Sequence, residues 1–306
     1  MARFLCRASR TLEVPQQRRE ECGAAVQYYE PNFVDEALVL LDRFAPGAHV
    51  LAGGTLLGPR LRNDPSRADT IVNIKRIPEL SDVAVDGERL RIGAVVTARE
   101  LAENALVRRQ APLLAHAAAS LGARQLRNVA TLGGNLCSGH PAADLTAALL
   151  ALDATVHVAN IHEGPRESAL ANFLKPRSHG LEPGELLTGI SVPIVESGAA
   201  YLKMQTRRAF EMALVAVAVR FTTDSEGAIA DARVALGGAA PTPIRAHHAE
   251  AAVSGREPSA ECFQKAARAA ADVDAQPYSD SHASADYRRH LVRVLTERAL
   301  VQAELH

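Results

Sequence analysis

Two short runs decide how this chain is read: Ala52-Gly53-Gly54-Thr55-Leu56-Leu57 (AGGTLL) and Thr131-Leu132-Gly133-Gly134-Asn135 (TLGGN). A glycine pair lets backbone N–H groups converge without interference from a Cβ, and such a concavity suits a diphosphate. One Gly-Gly turn says little, because most serve a positive φ or tight helix–sheet packing. Two of them, each after an apolar or β-branched stretch and each before a helix-compatible segment, point to one shared anionic ligand. Neither GxGxxG nor GxxxxGK(S/T) occurs at these loops, which disfavours a Rossmann site and a P-loop. From the residues alone the chain is a two-loop anion or dinucleotide binder of mixed α and β type.

Working outward from the first loop, Val34, Ala37, Leu38, Leu41 and Phe44 recur at helical spacing, with Asn32 as N-cap and Pro46-Gly47 as a stop. An apolar strand at 49–52 leads into Gly53-Gly54, and a β-branched strand follows at 70–74, which makes an α/β unit. A hairpin is predicted next, its Asp86-Gly87 turn separating strands 82–85 and 89–92, followed by the capping box Thr97-Ala98-Arg99-Glu100. That antiparallel hairpin argues for α+β mixing and against a purely parallel, doubly wound sheet.

A helix over 111–122 precedes the second loop, another spans 141–152 with Asp144 in its first turn, and strands follow at 155–158 and 186–192. Beyond Gly198 three strands (199–205, 214–221, 228–236) read as an antiparallel meander, and helices over 246–253, 259–273 and 284–303 can cover one of its faces. The expected organisation is an extension over 1–26 that is poorly ordered, a two-part unit over 27–198 and a C-terminal unit over 199–306.

Composition narrows the function. With 34 Lys plus Arg against 35 Asp plus Glu among 306 residues, the formal charge of -1 gives no pull toward nucleic acid. Hydrophobic residues at 47% and charged residues at 23% describe a folding, globular chain. No run of eighteen apolar residues occurs, and MARFLCRASR has too short an apolar stretch for a secretory signal, so the cytoplasm is the expected address. Cys6, Cys22, Cys137 and Cys262 form no CxxC pair, and the eleven histidines show no HExxH spacing, so no metal ligands are assigned. Redox chemistry here would need an organic cofactor.

AGGTLL (52–57) and TLGGNLCSGHPAADL (131–145) together resemble the paired FAD loops of the molybdenum-hydroxylase flavoproteins, of the carbon-monoxide dehydrogenase and xanthine dehydrogenase type. In order and spacing, GELLTGISVP (184–193), YLKMQTRRAFEMALVAVAV (201–219), ALGGAAPTPIRA (235–246) and ADYRRHLVRVLTERAL (285–300) are similar to the same family, over 27–303. The resemblance implies an α+β architecture: an FAD-binding fold of two α/β subdomains, then a C-terminal domain of antiparallel strands and helices.

Position by position, it implies that Val50, Leu51, Ala52, Gly53, Gly54, Thr55, Leu56 and Leu57, with Thr131, Leu132, Gly133, Gly134 and Asn135, wrap the FAD pyrophosphate. It implies a polar FAD contact from Asp144, apolar ones from Leu121 and Leu187, and a place near the flavin for Lys203. On residue type alone Asp144 serves a helix N-terminus, Lys203 is a solvated strand residue, Leu121 and Leu187 are core, and Cys137 is a small hydrophobe beside the loop. Leu56 departs from the Ser or Asp that relatives often carry, and Cys137-Ser138-Gly139-His140 from a run rich in Ala, Asn and Ser.

The implied function is an electron-transfer subunit that assigns no catalytic residue of its own. A small iron–sulfur subunit and a large molybdopterin subunit would be its partners in a dimer of heterotrimers, and an external acceptor would take the electrons. Two rivals stay open on sequence: a stand-alone FAD oxidoreductase of the same fold, and a non-catalytic scaffold that has lost FAD.

Overall fold

The structure is a computed structural model and describes residues 26–64, 66, 68–176, 180–207 and 212–305. The extension expected over 1–26 falls, but for Val26, outside the described residues. Three sheets organise the rest. The first is parallel, in the order β1-β3-β2, from β1 (Gln27–Tyr29), β2 (Ala48–Leu51) and β3 (Thr70–Asn73). Helix α1 (Val34–Arg43) covers it with Ala37, Leu38, Leu40 and Leu41, and its residues Asp35 and Glu36 complement the positive end of the helix dipole. The N-cap is Phe33 rather than Asn32, which donates its backbone N–H to Glu36 instead of capping with its side chain. Helix α2 (Leu57–Asn63) links the first glycine loop to β3.

The second sheet is antiparallel, in the order β4-β5-β8-β6-β7, from β4 (Val83–Asp86), β5 (Arg89–Gly93), β6 (Thr155–Asn160), β7 (Gly164–Ala169) and β8 (Leu186–Pro193). The hairpin forms as its Asp-Gly signal requires, with Gly87 at φ 59 and Asp86 facing Arg89. One face of this sheet, with Leu90, Ile92, Val156, Val158, Ile190 and Val192, is buried under helices. These are α3 (Ala98–Glu103), α4 (Ala105–Gln110), α5 (Pro112–Ser120), α7 (Leu132–Leu136), α8 (Asp144–Ala151) and α9 (Leu170–Phe173), while the short α6 (Arg124–Arg127) has no buried residue and leads from α5 to the second glycine loop. Thr97 and Glu100 close the capping box at α3: the Thr97 hydroxyl accepts the Glu100 N–H and the Glu100 carboxylate accepts the Thr97 N–H.

The C-terminal sheet runs β12-β11-β10-β9, from β9 (Gly198–Met204), β10 (Val215–Thr223), β11 (Ile229–Gly237) and β12 (Ile244–Arg245). The period-2 alternation of β10 explains how it is packed on both sides. Val215, Val217, Val219 and Phe221 join the core formed with α10 (His247–Val253), α11 (Ala260–Ala269) and α12 (Ala285–Glu304). Ala216 and Ala218 point the other way, where their small size lets the sheet close on the core that contains α8. Every residue of α8 is buried: its sequence is apolar on all sides but for Thr146 and for Asp144, which is paired. Helix α8 begins at Asp144, three residues later than the helix read from Pro141.

Candidate functional site

The two glycine loops meet, and a cleft of about 510 Å³ opens beside them. It is lined by the first loop and α2, by Thr131, Gly133, Gly134 and Cys137 of the second loop, and by the segment from Leu181 to Leu187. The contact between the loops depends on glycine: a Cβ on Gly53 would lie 2.0 Å from the Val129 carbonyl oxygen. A Cβ on Gly133 would stand 3.0 Å from both the Cβ and the carbonyl oxygen of Ala94.

The two loops differ in what their backbones offer. In the second, every N–H from Leu132 to Asn135 is committed: Leu132 to Val96 O at 2.9 Å, Gly133 to Ala94 O at 2.8 Å, Gly134 to Thr131 Oγ1 at 3.2 Å and Asn135 to Thr131 O at 2.9 Å. This loop is itself the first turn of α7, capped by Thr131. In the first loop, the N–H groups of Gly53, Gly54, Thr55 and Leu56 have no acceptor among the described residues. Gly54 sits at φ 70, the left-handed conformation that turns successive N–H groups toward one point. Four unpaired donors on the wall of a cleft fit a diphosphate, and Gly53 and Gly133 keep the neighbouring backbone close without filling the space.

Of the residues implied by the resemblance, Val50, Ala52, Gly53, Gly54, Thr55, Leu56, Leu57, Thr131, Gly133, Gly134 and Leu187 line the cleft. Leu51, Leu121, Leu132, Asn135, Asp144 and Lys203 do not. Leu132 is wholly buried, and Leu121 ends α5 with its carbonyl accepting from Arg127. The Asn135 side chain accepts the Leu145 N–H at 3.2 Å and so ties α7 to α8. Asp144 and Lys203 pair with each other in the interior, so Lys203 is not the solvated strand residue that its type alone implied.

The sequence reading passed over Arg60, His49, Ala94, Glu182 and Glu185, all of which line the cleft. Glu185 is held by Arg166 through two bonds of 2.7 and 2.8 Å, and that bonding keeps its carboxyl below the usual range. Burial pushes the Cys137 thiol up to about 12, so at neutral pH it is a protonated apolar group and not a nucleophile. No group of three or more His, Cys, Asp or Glu among the described residues is placed to hold a metal ion, and none of the described helices is long and apolar enough to cross a membrane.

Comparison with known proteins agrees with this geometry. Residues 24–195 match the model of the FAD binding domain in molybdopterin dehydrogenase, and residues 199–303 match the CO dehydrogenase flavoprotein C-terminal domain. The chain belongs to the FAD-binding subunits of the molybdenum hydroxylases. It is 32% identical to the glyceraldehyde dehydrogenase medium chain of Sulfolobus acidocaldarius, covering 89% of this chain and 96% of that one. It is 33% identical to the xanthine dehydrogenase FAD-binding subunit of Escherichia coli O157:H7, covering 84% and 89%. Among solved structures, carbon monoxide dehydrogenase from Hydrogenophaga pseudoflava superposes with a TM-score of 0.87 at 32% identity, covering 92% and 97%. This flavoprotein subunit is thus an oxidoreductase component, with the α+β fold of the carbon monoxide dehydrogenase medium chain and an FAD-binding domain.

Proposed function

We propose that this subunit carries the last electron-transfer stage of its enzyme: its FAD accepts electrons from the iron–sulfur clusters of a small partner subunit and passes them to an external acceptor. Substrate oxidation would belong to a large molybdopterin subunit, and the whole would assemble in the cytoplasm as a dimer of heterotrimers. The observation that carries the reading is the row of unpaired N–H groups from Gly53 to Leu56 on the cleft wall.

In this reading the first loop binds the pyrophosphate through those donors. Thr131, Gly133 and Gly134 form the opposite wall and bring it close, and Val50, Ala52, Leu57 and Leu187 supply apolar contact. Asn135, Leu132, Leu51 and Leu121 fix the loops from behind. The Asp144–Lys203 pair joins α8 to β9 and holds the C-terminal sheet against the FAD-binding part, which sets what lies beside the flavin. When bound, FAD supplies reversible electron exchange, and the protein's part is to bind, orient and shield it. The division at residue 198 follows this plan, with cofactor binding before it and the flanking sheet and helices after it.

The test is to reconstitute the purified chain with FAD and assay purines, aldehydes, aromatic heterocycles and carbon monoxide with a dye acceptor. At most weak diaphorase activity is expected, with turnover appearing only when iron–sulfur and molybdopterin subunits are added. Robust turnover by the lone chain, with contaminating subunits excluded by mass spectrometry, would make it a stand-alone oxidoreductase.

A further inference from the structure

The cleft carries one fixed charge that no ion pair among the described residues neutralises. Its two acids are both ion-paired, Glu185 with Arg166 at 2.7 Å and Glu182 with Lys175 at 3.0 Å. Arg60 is the only Lys or Arg among the lining residues, and its side chain has no ion pair or hydrogen bond among the described residues. It stands on α2 one turn beyond the first loop, where its own N–H donates to Leu56 O at 3.4 Å.

Arg60 lines the cleft together with Gly53 to Leu56, the segment whose N–H groups are unpaired, and helical side chains lean toward the N-terminus of their helix, the end at which α2 joins that segment. His140, just past the second loop, is held below its ordinary value by burial, with Arg60 opposing its protonation and Asp144 favouring it.

We propose that Arg60 is an additional anchor for the FAD diphosphate, closing over the ligand from α2 and supplying the positive charge that the backbone donors lack. The inference rests on FAD occupying the cleft. A diphosphate brings two negative charges into the space. Amide dipoles direct hydrogen bonds to it but leave its net charge in place, whereas a planar guanidinium meets it with two parallel N–H bonds. Neither acid of the cleft competes with the diphosphate for the guanidinium, since Glu182 and Glu185 are already paired.

The experiment compares wild type, Arg60→Gln and Arg60→Lys as full chains, titrated with FAD, with ADP and with adenosine, the last lacking phosphate. Arg60→Gln is expected to raise the Kd for FAD and for ADP about tenfold, the size of one charge-assisted hydrogen bond, and to leave adenosine unchanged. The salt dependence of FAD binding should become shallower in Arg60→Gln, and Arg60→Lys should recover most of the affinity at low salt. Because Arg60 is exposed, the melting temperatures of the three apoproteins should agree.

An Arg60→Gln chain that binds FAD within about twofold of wild type, at the same salt slope, overturns the proposal. An equal loss for adenosine overturns it too, because the effect would then not come from phosphate. If wild type itself takes up no FAD, the failure lies in the FAD reading of the cleft, and this proposal falls with it.

Discussion

Lys203 Nζ lies 3.0 Å from Asp144 Oδ1, with the two side chains 6% and 7% exposed, so a strand of the C-terminal sheet is ion-paired to the first turn of α8 in the interior. The Tyr201 hydroxyl, two residues earlier on β9, donates to the same oxygen at 2.8 Å. Together these bonds make the carboxylate the polar centre of an otherwise apolar contact between α8 and the sheet.

Removing one partner from a buried pair leaves the other without its counter-charge, so Lys203→Met is expected to cost about 3–5 kcal/mol of stability. Urea unfolding of the apoprotein measures it. A loss below about 1 kcal/mol would mean that the pair is screened as a surface pair would be.

Burial raises the Asp144 carboxyl above its ordinary 3.8, with Lys203 and Tyr201 pulling it partway back. A folded-state value above the unfolded one means that the folded protein holds the proton more tightly. The contribution is therefore complete below 3.8 and is lost as pH rises through the higher folded value. Unfolding free energies measured from about pH 4 upward should show wild type losing stability relative to Asp144→Asn across that window. Parallel curves for the two proteins would contradict it.

The sequence made the local devices legible and left the long-range ones hidden. The Asp86-Gly87 turn and the Thr97–Glu100 capping box are each written in four residues, and both formed. Strand β7 (GPRESA) has no apolar alternation and exists because β6 pairs with it along its whole length; β1 and β12 likewise owe their extended form to a neighbour. The glycine pairs marked the right place, but not that only the first keeps its N–H groups free, because Ala94 and Val96, which occupy the Gly133 and Leu132 donors, lie some forty residues away in the chain, and Thr131 takes the other two only once α7 has formed. Arg60 carried no motif, and only folding α2 against the cleft gave it a role.

Glycine substitutions in the first loop should separate packing from binding. A Gly53 Cβ would meet a backbone carbonyl at 2.0 Å, which forces the loops apart, whereas a Gly54 Cβ meets only the tip of Leu51 at 3.2 Å. Gly54→Ala pays for its left-handed φ with about 1–2 kcal/mol. Gly53→Ala is therefore expected to lower the melting temperature more than Gly54→Ala, and both should weaken FAD binding. Equal melting temperatures would show that the contact at Val129 yields easily.

Cys137 lines the cleft with its thiol pushed up to about 12, so roughly one molecule in ten thousand is thiolate at pH 8. Thiol reagents should label it far more slowly than free cysteine in the native chain, and Cys137→Ser should retain FAD. Rapid labelling of Cys137, located by peptide mapping, would contradict the raised thiol.

The central claim is that the cleft beside Gly53 to Leu56 holds one FAD without a covalent bond. Absorbance titration of the purified apoprotein with FAD, followed by acid precipitation, tests it most directly. The account predicts saturation at one flavin per chain and full release of that flavin into the supernatant. A chain that takes up no flavin, or that keeps it in the precipitate, would contradict the claim.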